Sequence, residues 1–168
     1  MRTMPKLSAG LLLYRVRAGP QTSFVEVLIA HPGGPFWARK DDGAWSIPKG
    51  EYLEGDDPWA AAHREFAEEL GLPVPDGPRI DFGPVKQPSG KVVTAFAVRG
   101  DLDITDARSN TFEMEWPRGS GKLREFPEVD RVGWFSVTQA RAKLLKGQRV
   151  FLERLMAHPD VAGLAEGP

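Results

Sequence analysis

Apolar positions along this 168-residue chain fall into two spacings, one for strands and one for helices. Residues 7–14 are nearly all apolar, and residues 24–30 set Val25, Val27 and Ile29 against Glu26 and Leu28. Both runs predict strands, and the Gly19-Pro20 turn region between them predicts that they pair. His31-Pro32-Gly33-Gly34-Pro35 cannot continue a strand and opens a loop carrying Phe36, Trp37, Arg39 and Lys40. A brief strand is expected at 45–47, delivering Pro48-Lys49-Gly50 to the next element. Further strands are expected at 79–85, 92–98, 111–116 and 131–135, with 117–121 as a break.

The helical spacing is clearest from Pro58 to Leu70. Asp57 is a good N-cap, Pro58 suits the first helical position, and Gly71 followed by Pro73 is a stop signal. At about 100° per residue, Trp59, Ala62, Phe66 and Leu70 share one apolar stripe, and Glu65, Glu68 and Glu69 occupy an arc roughly 100° wide beside it. Ser136-Val137-Thr138-Gln139 has the spacing of a capping box and opens a helix through Leu145, followed by a second helix over 148–157. Residues 158–168, rich in Gly, Ala and Pro, are expected to fray. Strands with one central and one terminal helical region predict an α/β fold, helices layered on a mixed sheet.

Charge changes this picture at the central helix. An acidic helix face is ordinarily just solvated surface. Here Glu65 is a like-charge neighbour of both Glu68 and Glu69, each pair costing about 0.2–0.5 kcal/mol, and Arg64 offers relief to Glu68 only in the less favourable orientation. From Glu51 to Glu69 seven acidic residues and one basic residue give −6, in a chain whose net charge is −1. A cation is expected there. Clustered carboxylate oxygens suit Mg²⁺ or Mn²⁺, hard ions that retain waters which phosphates can replace.

Composition narrows the classes. The chain has no cysteine, which removes disulfide, thiolate-metal and thiol redox chemistry. A near-neutral charge argues against a stable nucleic-acid partner. The start shows neither a secretion signal nor a membrane span, so a cytoplasmic location with no membrane partner is expected. One domain over 1–158 with a flexible tail over 159–168 is the expected organisation.

The stretch from Gly50 to Leu72 resembles the Nudix box, G-x5-E-x7-R-E-U-x-E-E-x-G-U with U a bulky aliphatic. Gly50 is followed after five residues by Asp56, then after seven by Arg64-Glu65-Phe66-Ala67-Glu68-Glu69-Leu70-Gly71-Leu72. Six fixed positions match, a coincidence on the order of one in 10⁵. Asp56 replaces the usual Glu and shortens its reach by one methylene, which Glu54 could make good; Phe66 replaces an aliphatic on the apolar stripe.

The resemblance implies a Nudix-type α-β-α sandwich with a mixed β-sheet and a phosphoanhydride hydrolase using Mg²⁺ or Mn²⁺. It implies Glu65, Glu68 and Glu69 as metal ligands with the Lys49 carbonyl, Arg64 orienting the glutamates, and a further carboxylate or base drawn from Glu113, Glu115 or Glu128. Lys49 and Gly50 would meet the phosphate chain. Among residues outside the box, Arg39 and Lys40 are candidates for outer phosphates, and Phe36, Trp37 and Trp45 for stacking on a base. His31 is a turn residue or a phosphate contact; His63 carries no assignment. The Trp45-x-x-Pro48-Lys49-Gly50 style is similar to the dinucleoside polyphosphate and diphosphoinositol polyphosphate subgroups. The expected substrate is a small nucleotide, a nucleoside diphosphate linked to a group X such as diadenosine tetraphosphate. Alternatives are a diphosphoinositol polyphosphate, an oxidised nucleoside triphosphate, or a nucleotide-binding module without turnover.

Overall fold

The structure is a computed structural model and describes residues 4–168. β1 (Leu7–Arg17) and β2 (Phe24–Pro32) form the expected antiparallel pair, with Tyr14 opposite Val27. β3 (Lys49–Tyr52) leads to α1 (Pro58–Leu70), then β4 (Arg79–Lys86), β5 (Val92–Arg99), β6 (Thr111–Glu115), β7 (Leu123–Pro127) and β8 (Val129–Ser136) follow. α2 (Val137–Lys143) and α3 (Arg149–Ala157) close the chain. Among the described residues six strands make a mixed sheet, β4-β5-β1-β2-β8, with β3 pairing residues 7–10 of β1 on the same edge that β2 occupies further along. β1 runs parallel to β5 and antiparallel to β2 and β3.

Helices on both faces explain the unbroken apolar run of β1, since a strand covered on both sides has no polar face to show. Ala9, Leu11 and Leu13 point to α1 and meet Phe66 and Leu70, all fully buried. Leu12 and Tyr14 point the other way, to Val137, Phe151 and Leu155 of α2 and α3. The fold is α/β, helix layers about a mixed sheet.

Local signals held where they were strongest. Asp57 caps α1, accepting from the Trp59 N–H at 3.2 Å, and Gly71 ends it in the left-handed region at φ 68°. A Cβ at Gly71 would lie 2.5 Å from the Arg108 carbonyl oxygen, so both backbone freedom and lack of a side chain are used there. Ser136 and Gln139 form the reciprocal capping box of α2, each bond 3.1 Å.

Other expectations are corrected. Residues 45–47 make only isolated bridges, Trp45 to Leu144 and Ser46 to Ala30. The strand begins at Lys49, after Pro48, where the open edge of β1 supplies a partner. β6 does not join the sheet; it pairs with β7, a strand the sequence pattern did not announce because its residues are mostly exposed. α2 stops at Lys143, since Leu144 turns extended to meet Trp45. Residues 158–168 are docked rather than frayed: Val161 is buried, the Ala165 backbone bonds to Ser23 and Val25, and the Ser136 hydroxyl donates to the Pro168 carbonyl at 2.6 Å.

Candidate active site

α1 and β3 meet at Gly50. A Cβ there would sit 2.0 Å from the Glu65 carboxyl carbon, so only glycine lets this carboxylate lie against the strand. Gly50 pairs with Ala9, whose side chain also faces α1. The Arg64 guanidinium Nη2 donates to the Glu51 carbonyl at 3.3 Å and lies 3.5 Å from the Glu65 carboxylate. Arg64 therefore ties helix to strand through the Glu51 carbonyl, and its charge lies beside Glu65 rather than beside Glu68, its i+4 neighbour.

The carboxylates converge in partly dry surroundings. Burial pushes Glu69 up to about 8, opposed by the Lys49 ammonium and backbone N–H and reinforced by Glu65 and Glu128. Glu65 is raised by burial first and by Glu68 next, with Arg64 opposing and Glu128 adding. Lys49 is lowered by burial and by Lys91, while Glu69, Glu51 and Glu65 act against that. Burial and mutual repulsion both disfavour the charged carboxylates.

Of the three further carboxylates, the fold brings one to the cluster. The Arg108 and Asn110 N–H groups donate to the carbonyls of Leu70 and Glu68 at 2.7 and 2.9 Å, satisfying the end of α1. The Glu128 N–H in turn donates to the Asn110 carbonyl at 2.8 Å. This chain of backbone bonds sets Glu128, between β7 and β8, where its charge acts on Glu65 and Glu69. Glu113 and Glu115 are exposed on β6; Glu113 lies opposite Glu125, and the Glu115 carboxylate accepts from the Gly121 N–H at 3.1 Å.

Trp45 is placed differently from the stacking expectation. It is only 4% exposed, its indole N–H donates to Asp41 at 2.7 Å, and His31 and Phe135 pack edge-on against it. It is a core residue. Arg39 is exposed, and the Lys40 ammonium lies over the Trp37 ring at 5.1 Å. Phe36 is exposed and packs edge-on with Trp116. His31 is buried with Asp130 at one ring nitrogen, 2.7 Å, and the Lys40 carbonyl at the other, 2.6 Å, so it anchors the loop. His63 packs on Trp59. Asp56 and Glu54 are exposed and make no ion pair among the described residues.

A cleft of about 140 Å³ beside Glu69 is lined in addition by Arg108, Ser109 and Arg131. No local pattern singles out these arginines, since each joins the cleft only through the packing of its loop or strand against α1.

The donor set fits a hard divalent cation. Carboxylate oxygens gather where burial penalises their charge, close to the Lys49 backbone. Among the described residues no three His, Cys, Asp or Glu are close enough together to hold a metal ion as they stand.

Residues 5–155 match the family model described as NUDIX domain. The chain belongs to the Nudix family. Solved structures of similar fold include a mutT/nudix family protein from Listeria innocua, with TM-score 0.62 and 20% identity over 93% of this chain and 94% of that one. A C. elegans Ap4A hydrolase binary complex has TM-score 0.58 and 20% identity over 89% and 96%. The NUDIX domain of Shewanella oneidensis NrtR complexed with ADP ribose has TM-score 0.59 and 16% identity over 92% and 90%. No curated protein matched. The Nudix family match and the hydrolase neighbours support a Nudix hydrolase. Among the described residues, no helix of this Nudix protein is long and apolar enough to cross a membrane.

Proposed function

We propose that this Nudix protein hydrolyses a phosphoanhydride bond in a nucleoside diphosphate linked to X, with Mg²⁺ or Mn²⁺ and with dinucleoside polyphosphates such as diadenosine tetraphosphate as its substrates. The observation that carries this reading is the α1–β3 junction, where a Cβ at Gly50 would sit 2.0 Å from the Glu65 carboxyl carbon and burial pushes Glu69, beside Lys49, up to about 8. Glu65, Glu68, Glu69 and the Lys49 carbonyl would hold the ion. When bound it would polarise a phosphoryl oxygen and acidify a water.

The chain's own residues supply the rest. Arg64 holds Glu65 in place against Gly50. Lys49 offers an ammonium to the phosphate chain, with Arg108 and Arg131 at the cleft beside Glu69. Hydrolysis forms one P–O bond from water and breaks the bridging P–O bond, and the water's proton passes to Glu128, the nearby carboxylate outside the helix. The dinucleoside preference is supported by the Trp45-x-x-Pro48-Lys49-Gly50 style and by the Ap4A hydrolase named among the neighbours.

Incubation with nucleoside triphosphates, dinucleoside polyphosphates, nucleotide sugars, ADP-ribose and diphosphoinositides, followed by chromatography, tests the reading. Mononucleotide release from a dinucleoside polyphosphate with Mg²⁺ and none in chelator is expected. Turnover undiminished in chelator, or confined to nucleoside triphosphates, would overturn it.

A further inference from the structure

β3 has a second neighbourhood, chemically opposite to the carboxylates. Where β1 and β5 begin side by side, the Val92 N–H donates to the Lys6 carbonyl at 2.9 Å. Next to this bond a cavity of about 630 Å³ is lined by Lys6, Lys86, Ser89 and Lys91 together with the apolar Met4, Pro5 and Val92. The turn joining β4 to β5 is closed by the Gln87 N–H on the Lys91 carbonyl, 2.7 Å, which holds Lys86 and Lys91 across one tight turn.

The charges there are incompletely matched. Lys6 and Lys91 each lie 3.8 Å from the Glu51 carboxylate, and Lys86 makes no ion pair among the described residues. Three ammonium groups against one carboxylate leave an excess of two positive charges. The same Glu51 accepts from Arg64 through its carbonyl. One residue of β3 thus pairs with two lysines of the cavity through its side chain and with the carboxylate helix through its backbone.

We propose that this cavity is an oxyanion subsite that receives phosphate groups of X, the part of the substrate beyond the bond hydrolysed at α1. The volume lies within the roughly 300–1,000 Å³ of small-molecule pockets. Lysines are mobile point charges, suited to several phosphates without one fixed geometry, and the Ser89 hydroxyl adds a neutral donor. Among the described residues no aromatic ring lines the cavity to stack on a base. These lysines are far apart along the chain, and the parallel pairing of β1 with β5 brings Lys6 to Lys86 and Lys91. The subsite selects a phosphate-rich X, either a linear polyphosphate or a phosphorylated ring, over a plain sugar. It rests on the hydrolase reading for its place in turnover but not for its binding chemistry.

Calorimetry with inorganic tripolyphosphate on the full chain, without divalent ion, reads the subsite directly. The Lys86→Ala/Lys91→Ala variant should bind it about tenfold more weakly or worse, with Lys86→Arg close to wild type. In Mg²⁺, the kcat/KM ratio of a phosphate-rich substrate to ADP-ribose should fall by a similar factor through KM. A fall for diadenosine tetraphosphate identifies the linear source, and one for a diphosphoinositol polyphosphate the ring source. Unchanged tripolyphosphate binding in the double variant, or an equal fall for every substrate, would overturn the proposal. If the wild type turns over no substrate, the hydrolase reading fails while the tripolyphosphate result still decides the subsite.

Discussion

α1 and the β6–β7 ribbon each carry three glutamates: Glu65, Glu68 and Glu69 on the helix, Glu113, Glu115 and Glu125 on the ribbon. On the ribbon they stand in solvent, Glu113 across from Glu125 and Glu115 on a turn amide. On the helix they lean into a partly dry junction with β3, and Glu69 is pushed up to about 8. The number of acidic groups is equal; burial and convergence differ. Charge becomes chemistry only where the fold withholds water from it.

The sharpest contrast is between Glu69 and Glu113. Glu69→Gln, which removes the charge at nearly constant volume, should lower kcat by about 10³-fold, the scale of losing metal-based charge stabilisation. Glu113→Gln should leave steady-state rates essentially unchanged. Equal losses in the two would break the comparison. Next comes the proton acceptor: Glu128→Gln should cost about 10²-fold or more in kcat, while Glu115→Gln should not. A normal rate in Glu128→Gln would remove that residue from the mechanism.

Gly50→Ala probes the junction itself. Its Cβ would overlap the Glu65 carboxyl group, so kcat should drop by roughly 10–100-fold, the range for disturbed support of a metal ligand. Wild-type rates would show that Glu65 does not need that position.

The smallest effect is on stability. Burial pushes Glu69 up to about 8 in the folded chain against about 4.3 for an ordinary glutamate, so in the range between these the folded state holds a proton the unfolded chain has lost. The associated stability is fully present below the lower value and is lost as pH rises through the upper one. Without divalent ion, melting temperature should therefore fall between about pH 5 and about pH 8, and Glu69→Gln should fall less, each kcal/mol amounting to about 2–4 °C. Mg²⁺ should recover the loss in wild type and not in Glu69→Gln. Parallel curves for the two proteins would contradict the burial account.

Much of this was legible in the chain because it is local. The cap at Asp57, the stop at Gly71, the arc of glutamates and the Ser136–Gln139 box are all set within one or two turns of helix. What depends on distant pairing was not legible. Glu128 could not be chosen over Glu113 and Glu115, because its place follows from bonds between the 108–110 loop and the end of α1. Trp45 read as a stacking ring because its packing partners, His31 and Phe135, lie far off in the chain. β3 was missed for a related reason: Lys49-Gly50-Glu51-Tyr52 has little strand character of its own and is extended by the free edge of β1. The docking of residues 158–168 likewise comes from backbone bonds to Ser23 and Val25, which composition does not reveal.

The most direct measurement follows mononucleotide release from diadenosine tetraphosphate by wild type and Glu69→Gln while Mg²⁺ is titrated into chelated protein. The account expects wild-type turnover to rise from nothing to saturation with the ion, and Glu69→Gln to stay about 10³-fold lower at every concentration. Turnover that is independent of Mg²⁺, or a Glu69→Gln curve that overlays the wild type, would contradict it.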